Sequence, residues 1–135
     1  MISVNRRAEK RCVDALLSDV NIRKIYSSTK IFQGYAAPNT LGTLNEFVLL
    51  QRISAVTLDR ATDGTITDTL RRVRLQVDVS DTDYGKMVIR SELVRSVLER
   101  AFPSCVDDDT YGTISAGQKI FNVCSIDIIL TESEV

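Results

Sequence analysis

Histidine and tryptophan are both absent from the sequence, and the lack of histidine restricts the chemistry available to the chain. Histidine is the commonest general base near neutral pH and the commonest metal ligand. Without it, no Ser-His or Cys-His nucleophile pair can be assembled, and the remaining residues suggest no other such pair. We therefore predict that the protein is not an enzyme and that it binds no cofactor and no metal.

The cysteines, the apolar runs and the net charge exclude further classes of protein. Cys12, Cys105 and Cys124 are odd in number and widely spaced, which favours reduced thiols packed as small hydrophobic side chains. No apolar run approaches membrane-spanning length, so we expect a cytoplasmic protein with neither a signal peptide nor a transmembrane helix. A net charge of −1 gives no general attraction to nucleic acid or to anionic lipid.

The length of 135 residues fits a single domain, residues 1–135, with one hydrophobic core. Apolar residues at helical spacing predict helices, whereas β-branched runs and strict alternation predict strands. The expected order is a helix over residues 5–17, a short extended segment over 22–32, a loop over 34–42, a strand over 46–57, a polar hairpin over 59–68, a strand over 70–80, a helix over 84–101, an acidic loop over 107–112 and a final strand over 121–131.

The strand over residues 70–80 carries the clearest pattern in the chain. Its apolar positions alternate with polar ones, so one side faces the core and the other faces water. Asp63-Gly64 lies between this strand and the preceding one, where glycine favours a tight hairpin. We predict an α+β fold: an antiparallel sheet of about four strands, two helices packed on one face, and a protruding β-hairpin.

Two segments superficially resemble ligand sites. Residues 112–119 are similar to a phosphate-binding loop, but Gln118 stands where the lysine belongs and a strand follows instead of a helix, so a flexible loop is favoured. The run Asp107-Asp108-Asp109 lacks the alternating spacing of a calcium loop, and adjacent side chains point in different directions. A solvated acidic loop is therefore favoured over a metal site.

Charged residues on the predicted surface are candidates for contacts with other proteins. The hairpin is too polar to bury itself, and the wet side of the strand after it carries arginines, which are common in interfaces. A basic first thirty residues and an acidic end also permit head-to-tail pairing of copies. Solvated faces are the alternative in each case. The candidate interface residues are Arg60, Asp63, Arg72, Arg74, Gln76, Asp107, Asp108 and Asp109.

Several stretches together resemble the tail-terminator, or tail-completion, proteins of long-tailed bacteriophages. The resemblance runs from about Val13 to Phe102 and rests on the order and length of the elements. The stretches that carry it are Val13-Asp14-Ala15-Leu16-Leu17-Ser18-Asp19-Val20, Lys30-Ile31-Phe32, Glu46-Phe47-Val48-Leu49-Leu50-Gln51-Arg52-Ile53, Arg72-Val73-Arg74-Leu75-Gln76-Val77-Asp78-Val79 and Val94-Arg95-Ser96-Val97-Leu98.

The resemblance implies a structural role at the neck end of the virion tail, after assembly in the host cytoplasm. Such proteins form a homo-oligomeric ring, commonly a hexamer, that caps the major tail tube protein, stops polymerisation and meets the head–tail connector or stopper. DNA then passes through the lumen without specific binding. Two alternatives remain open: a head-side neck or adaptor protein of the same virion, and a ferredoxin-like module that binds a small ligand or nucleic acid.

Overall fold

A computed structural model describes residues 7–59 and 70–133 and confirms the α+β class. Five strands form one mixed sheet in the order β1-β2-β3-β5-β4. Only β1 runs parallel to its neighbour, and the other pairs are antiparallel. In chain order the elements are α1 (Ala8–Leu17), α2 (Val20–Ile25), a 3-10 turn (Ser28–Lys30), β1 (Ile31–Gln33), α3 (Pro38–Leu41), β2 (Glu46–Asp59), β3 (Leu70–Asp81), α4 (Tyr84–Ala101), β4 (Val106–Ala116) and β5 (Lys119–Ser133).

The main core lies between the sheet and the helices α1, α2 and α4. As the alternation in the sequence predicted, every second residue of β3 is fully buried on this side, and β5 contributes its own alternate residues. Met87, Val94 and Leu98 supply the buried stripe of α4. The strand residues of this core are Val48, Leu50, Val73, Leu75, Val77, Val79, Cys124, Ile126, Ile128 and Leu130.

A smaller apolar cluster covers one end of the opposite side of the sheet. Leu41 of α3 packs there with Phe47 and Phe121, whose rings meet edge to face with centroids 5.0 Å apart. The turn between β4 and β5 passes close to α3, because a Cβ on Gly117 would lie 3.3 Å from the Cα of Gly42. Gly117 also has φ +61°, a conformation that favours glycine.

The rest of that side is not covered by a described helix, and we call it the open face. It alternates with the buried positions of the same strands, so its membership follows from strand pairing. On the three central strands it includes Gln51, Ser54, Val56, Arg72, Arg74, Gln76, Asp78, Ser125, Asp127, Ile129 and Thr131.

Several details of the predicted fold are wrong. The sheet is mixed rather than antiparallel, the described residues form four helices rather than two, and α3 lies in the predicted loop over residues 34–42. Residues 20–25 form a helix rather than an extended segment, because the Asp19 carboxylate accepts hydrogen bonds from the N–H groups of Asn21 and Ile22. Residues 106–116 form a fifth strand instead of an acidic loop, and the flexible loop predicted over residues 112–119 is reduced to a tight turn between β4 and β5. Helices also lie on both sides of the sheet, since α3 packs opposite α1 and α4.

Candidate protein–protein interface

The open face is shaped by a β-bulge in β2. Arg52 pairs with Leu75 and Ser54 pairs with Arg74, so Ile53 is an extra residue between them. Up to Arg52 the even-numbered residues of β2 face the helices, and after Ile53 they join the open face. The bulge therefore places Ser54 beside Arg74, and Val56 beside Arg72 on the neighbouring strand.

A shallow cleft of about 230 Å³ lies at this part of the open face. Val56 and Ile129 give it an apolar lining, and Arg72 and Arg74 contribute guanidinium groups. The remaining lining residue is Ser54. An apolar lining beside cations suits an aliphatic side chain next to a carboxylate, which is a common pairing in protein interfaces.

Arg74 lies among carboxylates that the sequence did not connect with it. Asp127 on β5 accepts a hydrogen bond from Arg74 across the two strands. This hydrogen bond and the charge of Asp127 raise the pKa of Arg74, and the charges of Asp107 and Asp108 raise it further. Arg74 of β3 and two aspartates of the acidic run, which were separate candidates from the sequence, therefore lie close enough to interact.

The acidic run itself divides between the two sides of the sheet. A second bulge, between Val106 and Asp109 of β4, separates the three aspartates. Asp109 turns toward α4 and forms an ion pair with Arg95, while Asp107 and Asp108 are exposed. Within residues 7–59 and 70–133 no group of three His, Cys, Asp or Glu side chains could hold a metal ion.

The remaining predicted interface residues have different outcomes. Gln76 lies on the open face as expected, but it donates to Asp78 at 2.9 Å, so part of its hydrogen-bonding capacity is used within the sheet. Arg60 and Asp63 lie outside the described residues. The strands β2 and β3 that flank them pair with each other as far as Asp59 and Leu70.

Sequence reasoning missed a charged cluster on the helix side of the sheet. Arg52 donates to both carboxylate oxygens of Glu9, at 2.6 and 3.2 Å, and to both of Glu132, at 2.5 and 3.2 Å. Glu132 is 2% exposed and also accepts the N–H of Ala8 at 2.7 Å at the start of α1. The only signal was Arg52 itself, a charge at a position where the strand pattern demands an apolar residue.

This cluster bears on the predicted charge asymmetry between the two ends of the chain. Glu132, which lies in the acidic end, is buried against Arg52. In the basic segment, Lys10 pairs with Asp14, and Lys30 pairs with Glu46 at 2.5 Å. Some of the charge at both ends is thus paired within one chain.

A buried ion pair near α4 and two buried cysteines are part of the packed interior. Arg90 forms an ion pair with Asp81 at 2.5 Å, and Asp81 is 2% exposed. Cys12 and Cys124 are buried free thiols, as the sequence predicted. Burial raises the pKa of Cys12 to about 12, so its thiol stays protonated and unreactive at neutral pH.

Neither the models of known protein families nor the curated proteins give a match to this chain. No helix within the described ranges is long and apolar enough to cross a membrane. The resemblance to tail-terminator proteins therefore stays a prediction, and the geometry of the open face is the basis for the proposal below.

Proposed function

We propose that this protein is a structural virion component that forms a ring on the tail tube of a long-tailed bacteriophage. The ring ends tail polymerisation and joins the tail to the head connector. The observation that carries the proposal is the open face, where Arg72, Arg74 and Asp127 lie beside an apolar cleft that no described helix covers. A face of this composition is suited to binding another protein.

The arrangement of the ionisable groups favours binding over catalysis. Buried charges are engaged in ion pairs, as in Arg52 with Glu132 and Arg90 with Asp81. Burial raises the pKa of Cys12 and also that of Cys124, which removes two candidate nucleophiles at neutral pH. Ser18 and Asp19 line one cleft together, but Ser18 donates to the Ala15 carbonyl and the Asp19 carboxylate pairs with Arg100, which supports a role by surface contact.

The ferredoxin-like alternative gains one point of support from the topology. β3, α4 and β4 form a split βαβ unit, because β5 lies between the parallel strands β3 and β4. This unit occurs in ferredoxin-like folds, but a shared fold does not specify a ligand. Charged side chains in the described clefts, such as Arg74 and Arg100, pair with carboxylates of the same chain, so the ring remains the favoured proposal.

Imaging of assembled particles tests the proposed function. In the ring model, averaged images of tails should show one closed ring of this chain at the upper end, and tails made without the chain should lose uniform length. The head-side alternative instead predicts density on isolated heads and tails of normal length in its absence. A single copy, or an open helix of copies, at the tail end would contradict the ring.

A further inference from the structure

The strand β4 forms one edge of the sheet and adds little to either apolar cluster. Residues 110–115 are exposed, and they include the large apolar side chains of Tyr111 and Ile114. These residues point alternately to the two sides of the sheet, so neither side of this segment is covered. Backbone pairing with β5 is the main contact that holds this segment in place.

Proteins protect exposed sheet edges with charges, prolines or bulges, because an unprotected edge pairs with other strands. The start of β4 has such protection in the bulge at residues 107–108 and in its three aspartates. Residues 110–115 read Thr-Tyr-Gly-Thr-Ile-Ser and contain no charge, no proline and no bulge. This uncharged half of β4 is therefore suited to accept another strand.

The opposite edge of the sheet offers an uncharged segment, residues 53–57, which begins at the bulge in β2. β1 covers the outer side of β2 at residues 48–50, and within the described ranges no strand pairs with that side beyond Leu50. Ile53 and Val56 are both 49% exposed on this part of β2. Each edge thus carries two large apolar side chains that a neighbouring strand would cover.

We propose that copies of this chain join edge to edge, with residues 110–115 of β4 in one copy pairing with residues 51–57 of β2 in the next. The proposal rests on the ring described above and specifies how its subunits meet. Strand direction fits, because β4 is antiparallel to β5, β5 runs in the same direction as β2, and head-to-tail packing preserves these directions. The sheet would continue from copy to copy in an antiparallel manner.

Charge complementarity favours this head-to-tail arrangement. Across the open face the charge changes from Arg72, next to the β2 edge, to Asp127 and then to Asp107 and Asp108 on β4. Joining the β4 edge of one copy to the β2 edge of the next brings the acidic side of one beside the basic side of the other. A contact between two β4 edges related by a two-fold axis would not place Arg72 of one copy beside the acidic side of the other.

The stagger needed to avoid β1 agrees with closure of a ring. Following the strand pairing across the sheet, Thr110 lies level with Ser125, Asp78 and Leu49, where β1 covers β2. Four strand spacings of about 4.8 Å and a tilt of about 45° give a stagger of about 19 Å, or about six residues. In one of its two directions, this moves Thr110 to about the level of Val56 in the next copy, because Ile53 is an extra residue in β2, and residues 110–115 then lie beyond β1.

Cross-linking of two matched single-cysteine variants tests the proposal. Thr110→Cys and Ser54→Cys place thiols on exposed positions of β4 and β2, in a background where the half-buried Cys105 is replaced by serine. A short bis-maleimide is added to each variant alone and to their mixture, at high protein concentration. We expect the covalent dimer in the mixture at several times the yield of either variant alone. Glu92→Cys, on the exposed side of α4, is the control and should give background yield with either partner.

Each result has a defined meaning. Strong cross-linking of Thr110→Cys with itself would overturn the head-to-tail pairing in favour of a two-fold contact between β4 edges. Background yield in the mixture would overturn edge pairing altogether. Imaging of tails is scored separately, so a ring that is visible without cross-linking would reject this inference and leave the proposed function standing.

Discussion

Replacing arginines on the two sides of the sheet should separate binding from stability. Arg72 and Arg74 lie on the open face of β3, whereas Arg52 lies on the helix side of the adjacent strand β2. Arg72→Ala with Arg74→Ala removes charge that we assign to an interface. Arg52→Ala removes the same side chain from a buried cluster and is the matched control.

The structure predicts different losses of folding stability for the two changes. The Arg74–Asp127 pair has side chains 49% and 19% exposed, and solvent screens such a surface pair, so it adds little to stability. Arg72 is exposed, and truncation at such a surface position changes stability by about 0.5 kcal/mol or less. For a domain of this size, the double change should lower the melting temperature by about 5 °C or less.

Arg52→Ala should be much more costly. It leaves Glu132, whose side chain is 1% exposed, without its charge partner. Breaking a buried pair costs about 3–5 kcal/mol, and Arg52 is one quarter exposed, so we expect a loss of about 3 kcal/mol. That corresponds to a melting temperature lower by about 10 °C.

The assay measures thermal unfolding and the yield of infectious particles for both variants. The double open-face variant should keep its fold and fail to give tails that join heads, because interface arginines commonly contribute about 2 kcal/mol or more. If it lost as much stability as Arg52→Ala, Arg72 and Arg74 would be structural residues. Full particle yield would remove the open face from the interface and direct attention to Asp107 and Asp108.

Three further changes test the core and the charged clusters. Val77→Asp places an unpaired charge at a fully buried position and should unfold the chain, as circular dichroism would show. Cooperative unfolding at a melting temperature near that of the unmodified protein would contradict the core assignment. Burial acts to raise the pKa of Glu9, but the hydrogen bond and the charge of Arg52 lower this pKa overall. The contribution of Glu9 to stability should therefore be lost as the pH falls below about 4.5 and through the pKa of the folded state. Urea unfolding of Glu9→Gln should therefore depend less on pH in that range, and an unchanged pH dependence would exclude Glu9 as its source. The Tyr26 hydroxyl is buried with no hydrogen-bond partner in the described structure. Tyr26→Phe should therefore leave the free energy of unfolding unchanged or raise it by about 1 kcal/mol. A clear loss of stability would show that the hydroxyl is hydrogen-bonded.

The fold could be predicted from the sequence where burial imposes a period. Residues of β3 alternate because one side faces the helices and the other faces water, and the pattern identified both the strand and the open face. β4 has no such pattern, since residues 110–115 are exposed on both sides. It is a strand because β5 pairs with it, and that information lies outside the segment.

The candidate site was predictable in some of its members, but Asp127, the cleft residues Ser54, Val56 and Ile129, and the arrangement of the whole site were not predicted. Arg72 and Arg74 were identified from the alternation of β3, and Asp107 and Asp108 from their charge. Their proximity depends on the sheet order β3-β5-β4, which follows from long-range pairing and leaves no local signal. The contact of Arg52 with Glu132 joins residues 80 positions apart, so it too was beyond reach.

The bulge at Ile53 allows one strand to serve both sides of the sheet. Without the extra residue, the even-numbered positions of β2 would continue to face the helices, and Ser54 and Val56 would leave the open face. Arg52 would still face the helices, but the cleft beside Arg72 would lose the part of its lining that β2 supplies. The bulge at Ile53 thus separates Arg52, which stabilises the helix side of the sheet, from Ser54 and Val56, which belong to the surface that we assign to binding. One short segment of β2 therefore serves both stability and assembly.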